Sequence, residues 1–342
     1  MQDFSKWSLL LKKMYGMNTV VVADKREMSR DEWLQERKNG VGGSEIGKIL
    51  GSSKYGTALD VFYDKIGRED ISVPFTEAQQ EILDSGSDME GLILDLYRKK
   101  TGRKVVVVNA ILSHPYYHMT RVNVDAIVQR EDGKWGVLEV KNTMARGDEW
   151  KNGQVPVSYQ DQCRYGMWIC GLSFGEVVNL RSGRWTTESI FQVEESIEWI
   201  HRVQTELTKF WMDVCLGIQP EYSEKDDGEL WRETLGRAVA LSQESPVEIV
   251  ADDGLTDKIN GYHHIVDEIK NLTDQAEQLK AYFASELSAG GGSIVSESGT
   301  VVWKKSAGAS KFDRKAFEKE NPQMVDRYVS KGEPSMRMTF KW

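Results

Sequence analysis

Arg121-Val-Asn-Val-Asp125-Ala-Ile-Val-Gln129 and Trp135-Gly-Val-Leu-Glu139-Val-Lys141-Asn142 lie on either side of Glu131-Asp132-Gly133-Lys134. Both runs carry the two-residue apolar period of a strand, and the Asp-Gly between them is a hairpin signal. Side chains alternate along a strand, so Glu139 and Lys141 share one face while Leu138 and Val140 share the other. The tight turn lets Asp125 lie beside Glu139. Two carboxylates, one ammonium and the carbonyl of Val140 then converge. Oxygen ligands of this kind suit Mg²⁺ or Mn²⁺. Such a cation activates water and neutralises phosphate charge, and Lys141 is placed to orient that water or to stabilise a pentacovalent phosphate. The same residues at this spacing also occur on solvated hairpin faces, so the hairpin alone leaves both readings open.

Working outward, the spacing predicts strands at 105–112, 119–129 and 135–141. A helix over 87–101, stopped by Gly102, precedes them. On that helix Glu90 shares an arc with Leu83, Gly86, Ile93, Leu94 and Tyr97, which turns it toward the apolar side. A charge goes there when it is paired or bound to metal; the competing reading is a Ser87-x-x-Glu90 capping box. A helix at 156–171, two strands within 176–193 around Ser182-Gly183, and a closing helix at 194–217 follow. The order suits a mixed sheet flanked by helices, an α/β fold. Upstream, 28–38 reads as a helix capped by Ser29 and Glu32. Gly40-Val-Gly-Gly-Ser44 feeds a second helix starting near Ser44, and 57–66 is a third, ended by Gly67.

Residues 1–220 therefore form one expected domain, 221–254 an acidic connector with some helix, and 255–342 an extension. In the extension Leu255, Ile259, Tyr262, Ile265, Ile269, Leu272, Ala276, Leu279, Phe283 and Leu287 step by three or four along one helix. That seam serves internal packing or a partner coiled coil. Glycines 290–292 end it, a hairpin spans 293–305, a basic helix starts at Asp313, and 336–342 closes as a strand. Residues 301–342 carry ten Lys/Arg against five Asp/Glu. This basic end has three readings: it tracks a DNA strand, meets a protein partner, or is a solvated packing module.

With 342 residues, 40% of them hydrophobic, and eleven Trp, the chain can build a large core. No apolar run reaches the roughly 20 residues of a membrane span, and the N-terminus lacks a secretory pattern, so the expectation is an intracellular protein without membrane contact. Cys163, Cys170 and Cys215 are too few for a disulfide framework, a zinc ribbon or an iron–sulfur cluster, and are expected as buried thiols. A net charge of −9 does not exclude DNA, because the field at the groove decides.

Five segments occur in order over residues 29–215: Arg37-x-x-Gly40-Val-Gly-Gly-Ser44-Glu45; Gly86-x-x-x-Glu90 with Tyr97 and Thr101-Gly102; Asn123-x-Asp125; Glu139-Val-Lys141; and Tyr159-x-x-Gln162-x-Arg164-Tyr165-x-Met167-Trp168. This set resembles the YqaJ family of viral recombinases, which includes the lambda-type alkaline exonuclease, within the PD-(D/E)XK nuclease superfamily. The resemblance implies a restriction-endonuclease-like core with a helical and β-hairpin extension at its C-terminus. It implies Asp125 and Glu139 as metal ligands beside the Val140 carbonyl read above, Glu90 as a catalytic acid that binds the metal directly or through its surroundings, Lys141 as catalytic and Gln162 as an aid to the water or to Lys141. It also implies that Arg37 and Ser44 grip a 5′-phosphate. A glycine turn feeding a helix and a forked Arg support that role independently; the alternatives are a surface charge and an ordinary turn. Arg164 stands where the family often has a second Gln, which touches only secondary contacts. The implied activity is Mg²⁺- or Mn²⁺-dependent 5′→3′ digestion of double-stranded DNA ends, leaving 3′ overhangs for a single-strand annealing protein. The implied setting is the cytoplasm of a bacterial host, from a phage or prophage, with a possible homo-trimer. An endonuclease of restriction or repair type and a non-catalytic recombination scaffold are the competing readings.

Overall fold

The computed structural model describes residues 4–71, 77–143, 150, 154–186, 189–243, 245–287, 291–306, 308, 312–322, 324, 336 and 338–340. They fall into two compact units, Met1–Ser242 with Pro334–Trp342, and Gln243–Glu333.

The first unit begins with α1 (Ser5–Tyr15), closed by Gly16 in the left-handed conformation, and β1 (Val20–Asp24). The sequence did not mark either element. No side chain caps α1, so the usual start signal is missing. Then come α2 (Arg30–Lys38), β2 (Val41–Gly42), α3 (Gly43–Ile49) and α4 (Ala58–Lys65). The expected Ser29–Glu32 capping box is present, with the Glu32 carboxylate accepting from the Ser29 N–H at 2.8 Å.

The next helix, α5, spans Glu77–Thr101, ten residues longer at its start than expected. Ser87 is therefore inside the helix, which removes the capping-box reading of Glu90. The single strand expected at 105–112 is two, β3 (Val105–Val106) and β4 (Ala110–Ser113), in different sheets. The strand expected at 119–129 likewise divides into β5 (Thr120–Arg121) and β6 (Ala126–Gln129). After these come β7 (Trp135–Thr143), α6 (Val157–Cys170), β8 (Phe174–Arg181), β9 (Ile190–Glu194), α7 (Ile197–Leu216) and α8 (Gly228–Ala240).

The central sheet has the order β3-β6-β7-β8-β9. Only β7 and β8 run parallel; the other neighbours are antiparallel. Two small ladders, β1-β4 and β2-β5, stand beside it. Alternation divides the sheet into two apolar faces. Ala126, Val128, Leu138 and Val178 pack with Ile93, Leu94 and Tyr97 of α5. Ile127, Val137 and Val177 join the larger core with Cys163, Tyr165 and Met167 of α6. Helix α6 approaches β8 so closely that a Cβ on Gly175 would sit 2.4 Å from Cys163 Sγ, so only glycine fits there. Burial pushes the Cys163 thiol well up and Cys170 to about 12, whereas Cys215 is exposed, against expectation.

Helix α8 lies in the stretch read as a connector, yet it packs on α4. Trp231 is buried, and Thr234 donates to Asp60 Oδ1 at 2.7 Å. The second unit holds α9 (Asp253–Leu287), the hairpin β10 (Gly292–Ser296) and β11 (Gly299–Trp303), and α10 (Arg314–Glu320) capped by Asp313. Met336 and Met338–Phe340 form no strand, so the expected closing strand is absent from the described residues; 337, 341 and 342 lie outside them, as does Gly290. Among the described residues no helix is long and apolar enough to cross a membrane.

Candidate active site

Strand β6 pairs with β7 from Gln129↔Trp135 to Ala126↔Leu138 and then ends. One residue earlier Asp125 takes over the ladder with its side chain: the Val140 N–H donates to Asp125 Oδ2 at 2.7 Å. The hairpin geometry thus fixes this carboxylate beside β7. Glu139 and Lys141 follow the parity of Val137, so they face α6. The Lys141 ammonium donates to Glu139 Oε1 at 2.7 Å and to Gln162 Oε1 at 3.0 Å. The Gln162 amide donates to the same Glu139 oxygen at 2.5 Å. Tyr159, one turn before Gln162 on α6, sets its ring 4.7 Å from the Lys141 ammonium, a cation–π contact. The sequence motif contained Tyr159 without a role; its i, i+3 spacing from Gln162 was the available signal.

The electrostatics are those of crowded like charges. Glu139 is 4% exposed. Burial, then the Glu139 charge, raise the Asp125 carboxyl well above its ordinary range, and Lys141 only partly opposes them. For Lys141 burial works against the charge, but Glu139 and Asp125 outweigh it and raise its pKa. Burial also raises Glu90; Lys25 opposes and Glu139 adds to the rise. Glu90 thus feels the site from α5 on the other face, past the end of β6. Among the described residues no three His, Cys, Asp or Glu side chains gather tightly enough to hold a metal ion by themselves, although the charges of Glu90 and Asp125 act on one another. The amide oxygen of Asn123, two residues before Asp125, is buried without a hydrogen-bond partner among the described residues.

The YqaJ-like viral recombinase domain model matches residues 32–173, which contain Glu90, Asp125, Glu139, Lys141, Tyr159 and Gln162. The chain is 30% identical over 279 residues to "Uncharacterized protein YqaJ" of Bacillus subtilis (strain 168), covering 80% of this chain and 83% of that protein. The chain belongs to the YqaJ family. Among solved structures it is similar to an alkaline exonuclease (LHK-Exo) from Laribacter hongkongensis, 20% identical, covering 55% of this chain and 94% of that one, with a TM-score of 0.44. The structure of LHK-Exo in complex with dAMP matches with a TM-score of 0.43 over the same shares.

In this YqaJ-family chain the glycine turn at 40–44 lies against the same centre. A Cβ on Gly43 would be 3.5 Å from Gln162 Cγ. Ser44, second residue of α3, is exposed. Arg37 is not a free surface charge: its Nη2 donates to Glu45 Oε1 at 2.9 Å, and its guanidinium lies 4.9 Å from the Trp33 ring centre. The sequence motif contained Glu45 without a role, and Lys65 was passed over, because their importance arises from a contact between helices that no local pattern reveals.

Proposed function

We propose that the protein is a divalent-metal-dependent deoxyribonuclease of the recombination type, a 5′→3′ exonuclease on double-stranded DNA ends. The observation that carries this reading is the convergence of Asp125, Glu139 and Lys141 at the end of the β6–β7 ladder. The donor set fits a hard cation: carboxylate and carbonyl oxygens are present, and the neighbouring Cys163 thiol is held protonated by burial. Asp125, Glu139 and the Val140 carbonyl would hold Mg²⁺ or Mn²⁺, with Glu90 as a nearby acid. Asp125 Oδ1 and Glu139 Oε2 are the oxygens not engaged by Val140, Lys141 or Gln162. When bound, the ion would supply an acidified water and charge neutralisation at the phosphate.

The chain's own residues do the rest. Lys141 stays protonated and offers positive charge where the phosphate becomes more negative. Gln162 bonds both the ammonium and the Glu139 carboxylate and so holds them together. Tyr159 supports the ammonium with the face of its ring. Arg37 and Ser44, on either side of the glycine turn whose Gly43 packs against Gln162, are assigned to a 5′-terminal phosphate. The reading places the enzyme in a bacterial cytoplasm, with 3′ single strands passed to an annealing protein and with a homo-trimer as its candidate assembly.

Purified protein with Mg²⁺ or Mn²⁺ should shorten linear duplex from its 5′ ends and leave closed circular DNA intact. Nicking of the circle would replace this reading with an endonuclease, and metal-independent or absent cleavage would refute the nuclease assignment.

A further inference from the structure

One carboxylate ties together three pieces of backbone around Arg37. Glu45 Oε1 accepts from Arg37 Nη2 at 2.9 Å and from Lys65 Nζ at 3.0 Å. Glu45 Oε2 accepts from the Gly42 N–H at 2.7 Å and lies 2.9 Å from the same ammonium. Lys65 also donates to the carbonyl of Arg37 at 2.9 Å. The end of α2, the glycine turn and the end of α4 are therefore held by a single Glu–Lys pair. Gly42 permits the approach, since a Cβ there would sit 3.3 Å from Glu45 Oε2 and 3.6 Å from Arg37 Nη2.

A helix cap alone would need only the Gly42 N–H on Glu45. The two cations go beyond capping. The Lys65 side chain is 0% exposed, and a buried ion pair rarely stabilises a fold more than apolar residues of the same volume would. What it provides is a fixed geometry. Burial, the largest influence, acts to raise the Glu45 pKa, yet Lys65, Arg37 and the Gly42 N–H bring it below its ordinary value. The side chain of Arg37 is 31% exposed, and among the described residues the guanidinium donates through Nη2 alone. A guanidinium has five N–H donors in a rigid fork. With Glu45 on one edge and Trp33 beneath, its rotation is set and its remaining donors stay available to an anion.

We infer that Glu45 is the positioning residue that fixes Arg37 for a 5′-terminal phosphate; this rests on the end-binding role proposed above for Arg37 and Ser44. Lys65 completes the clamp by anchoring both Glu45 and the carbonyl of Arg37.

The test uses full-length protein with Mn²⁺ and linear duplexes bearing either 5′-phosphate or 5′-hydroxyl ends. Because Glu45→Gln leaves the buried Lys65 ammonium with only the partly exposed Asp64 carboxylate, 3.2 Å away, it is compared with Glu45→Gln/Lys65→Met, which removes that charge. In both, KM for phosphorylated ends should rise about tenfold with a much smaller change in kcat, as loss of ground-state binding demands. KM for hydroxyl ends should hardly move. Arg37→Ala added to the double variant should bring little further loss, since the two act through one contact. If Arg37→Ala abolishes the phosphate preference while both Glu45 variants keep it, this inference alone is overturned. Equal losses on both kinds of end would overturn it as well, by making Glu45 merely structural. A wild-type protein indifferent to the 5′-phosphate would overturn the end-binding reading and this inference with it.

Discussion

Two clusters of charge in the first unit are built from the same side-chain types and come out with opposite signs. Around Glu45, one buried carboxylate meets Arg37 and Lys65, and its pKa falls below the ordinary value despite burial. Around Asp125 and Glu139, two carboxylates share one ammonium, and Asp125 rises far above its ordinary range. The first cluster holds two cations to one buried carboxylate, with the partly exposed Asp64 reaching only Lys65 at 3.2 Å; the second holds one cation to two carboxylates. The difference teaches how to read a ligand from protein charge alone: the surplus suits an anion, the deficit suits a cation.

The largest test of that contrast is catalytic. Lys141→Ala should reduce turnover on linear duplex by roughly 10³-fold or more, with the helical circular dichroism unchanged. Near-normal rates would mean that the deficit cluster is structural. Next in size is stability. Glu45→Leu leaves Lys65 buried without its main partner and should cost about 3–5 kcal/mol in denaturant unfolding. Asp125→Asn, measured without metal, should go the other way by about 1 kcal/mol, because it removes like-charge repulsion while inactivating the enzyme. Equal signs for the two variants would break the comparison.

The smallest effect is on pH dependence. Glu45 has a lowered pKa, so its contribution is present above its unfolded value of about 4.5 and is lost as pH falls through the folded value. Asp125 and Glu90 have raised pKa values, so their contributions are present below their unfolded values and fade as pH rises through the folded ones. Melting temperatures of the metal-free protein should therefore show Glu45→Gln flattening the acid limb and Asp125→Asn flattening the decline above it.

The parts legible in the sequence were those carried by local rules. Ser29 and Glu32, Gly102, Gly133, Gly171 and Gly217 marked ends and turns because capping and left-handed backbone act over a few residues. Alternation alone placed Glu139 and Lys141 on one face. The chain from 105 to 112 is apolar except for Asn109, with no glycine or proline to signal that Val105–Val106 and Ala110–Ser113 enter different sheets. Asp125 was correctly paired with Glu139 although its strand was drawn too long, since the turn at 131–134 sets the register by itself. The pairing of Glu45, quoted in a motif without a role, with Lys65 escaped notice because twenty residues separate them, and only the packing of α3 on α4 makes them partners.

Asp125 does two jobs with its two oxygens, and this gives the molecule a built-in reporter. Oδ2 closes the last rung of the hairpin through the Val140 amide proton, while Oδ1 is the oxygen proposed above for the metal. Any titration of magnesium or manganese that draws charge from this carboxylate should weaken that rung. The Val140 amide resonance would then shift, and its hydrogen exchange quicken, before a single nucleotide is cut.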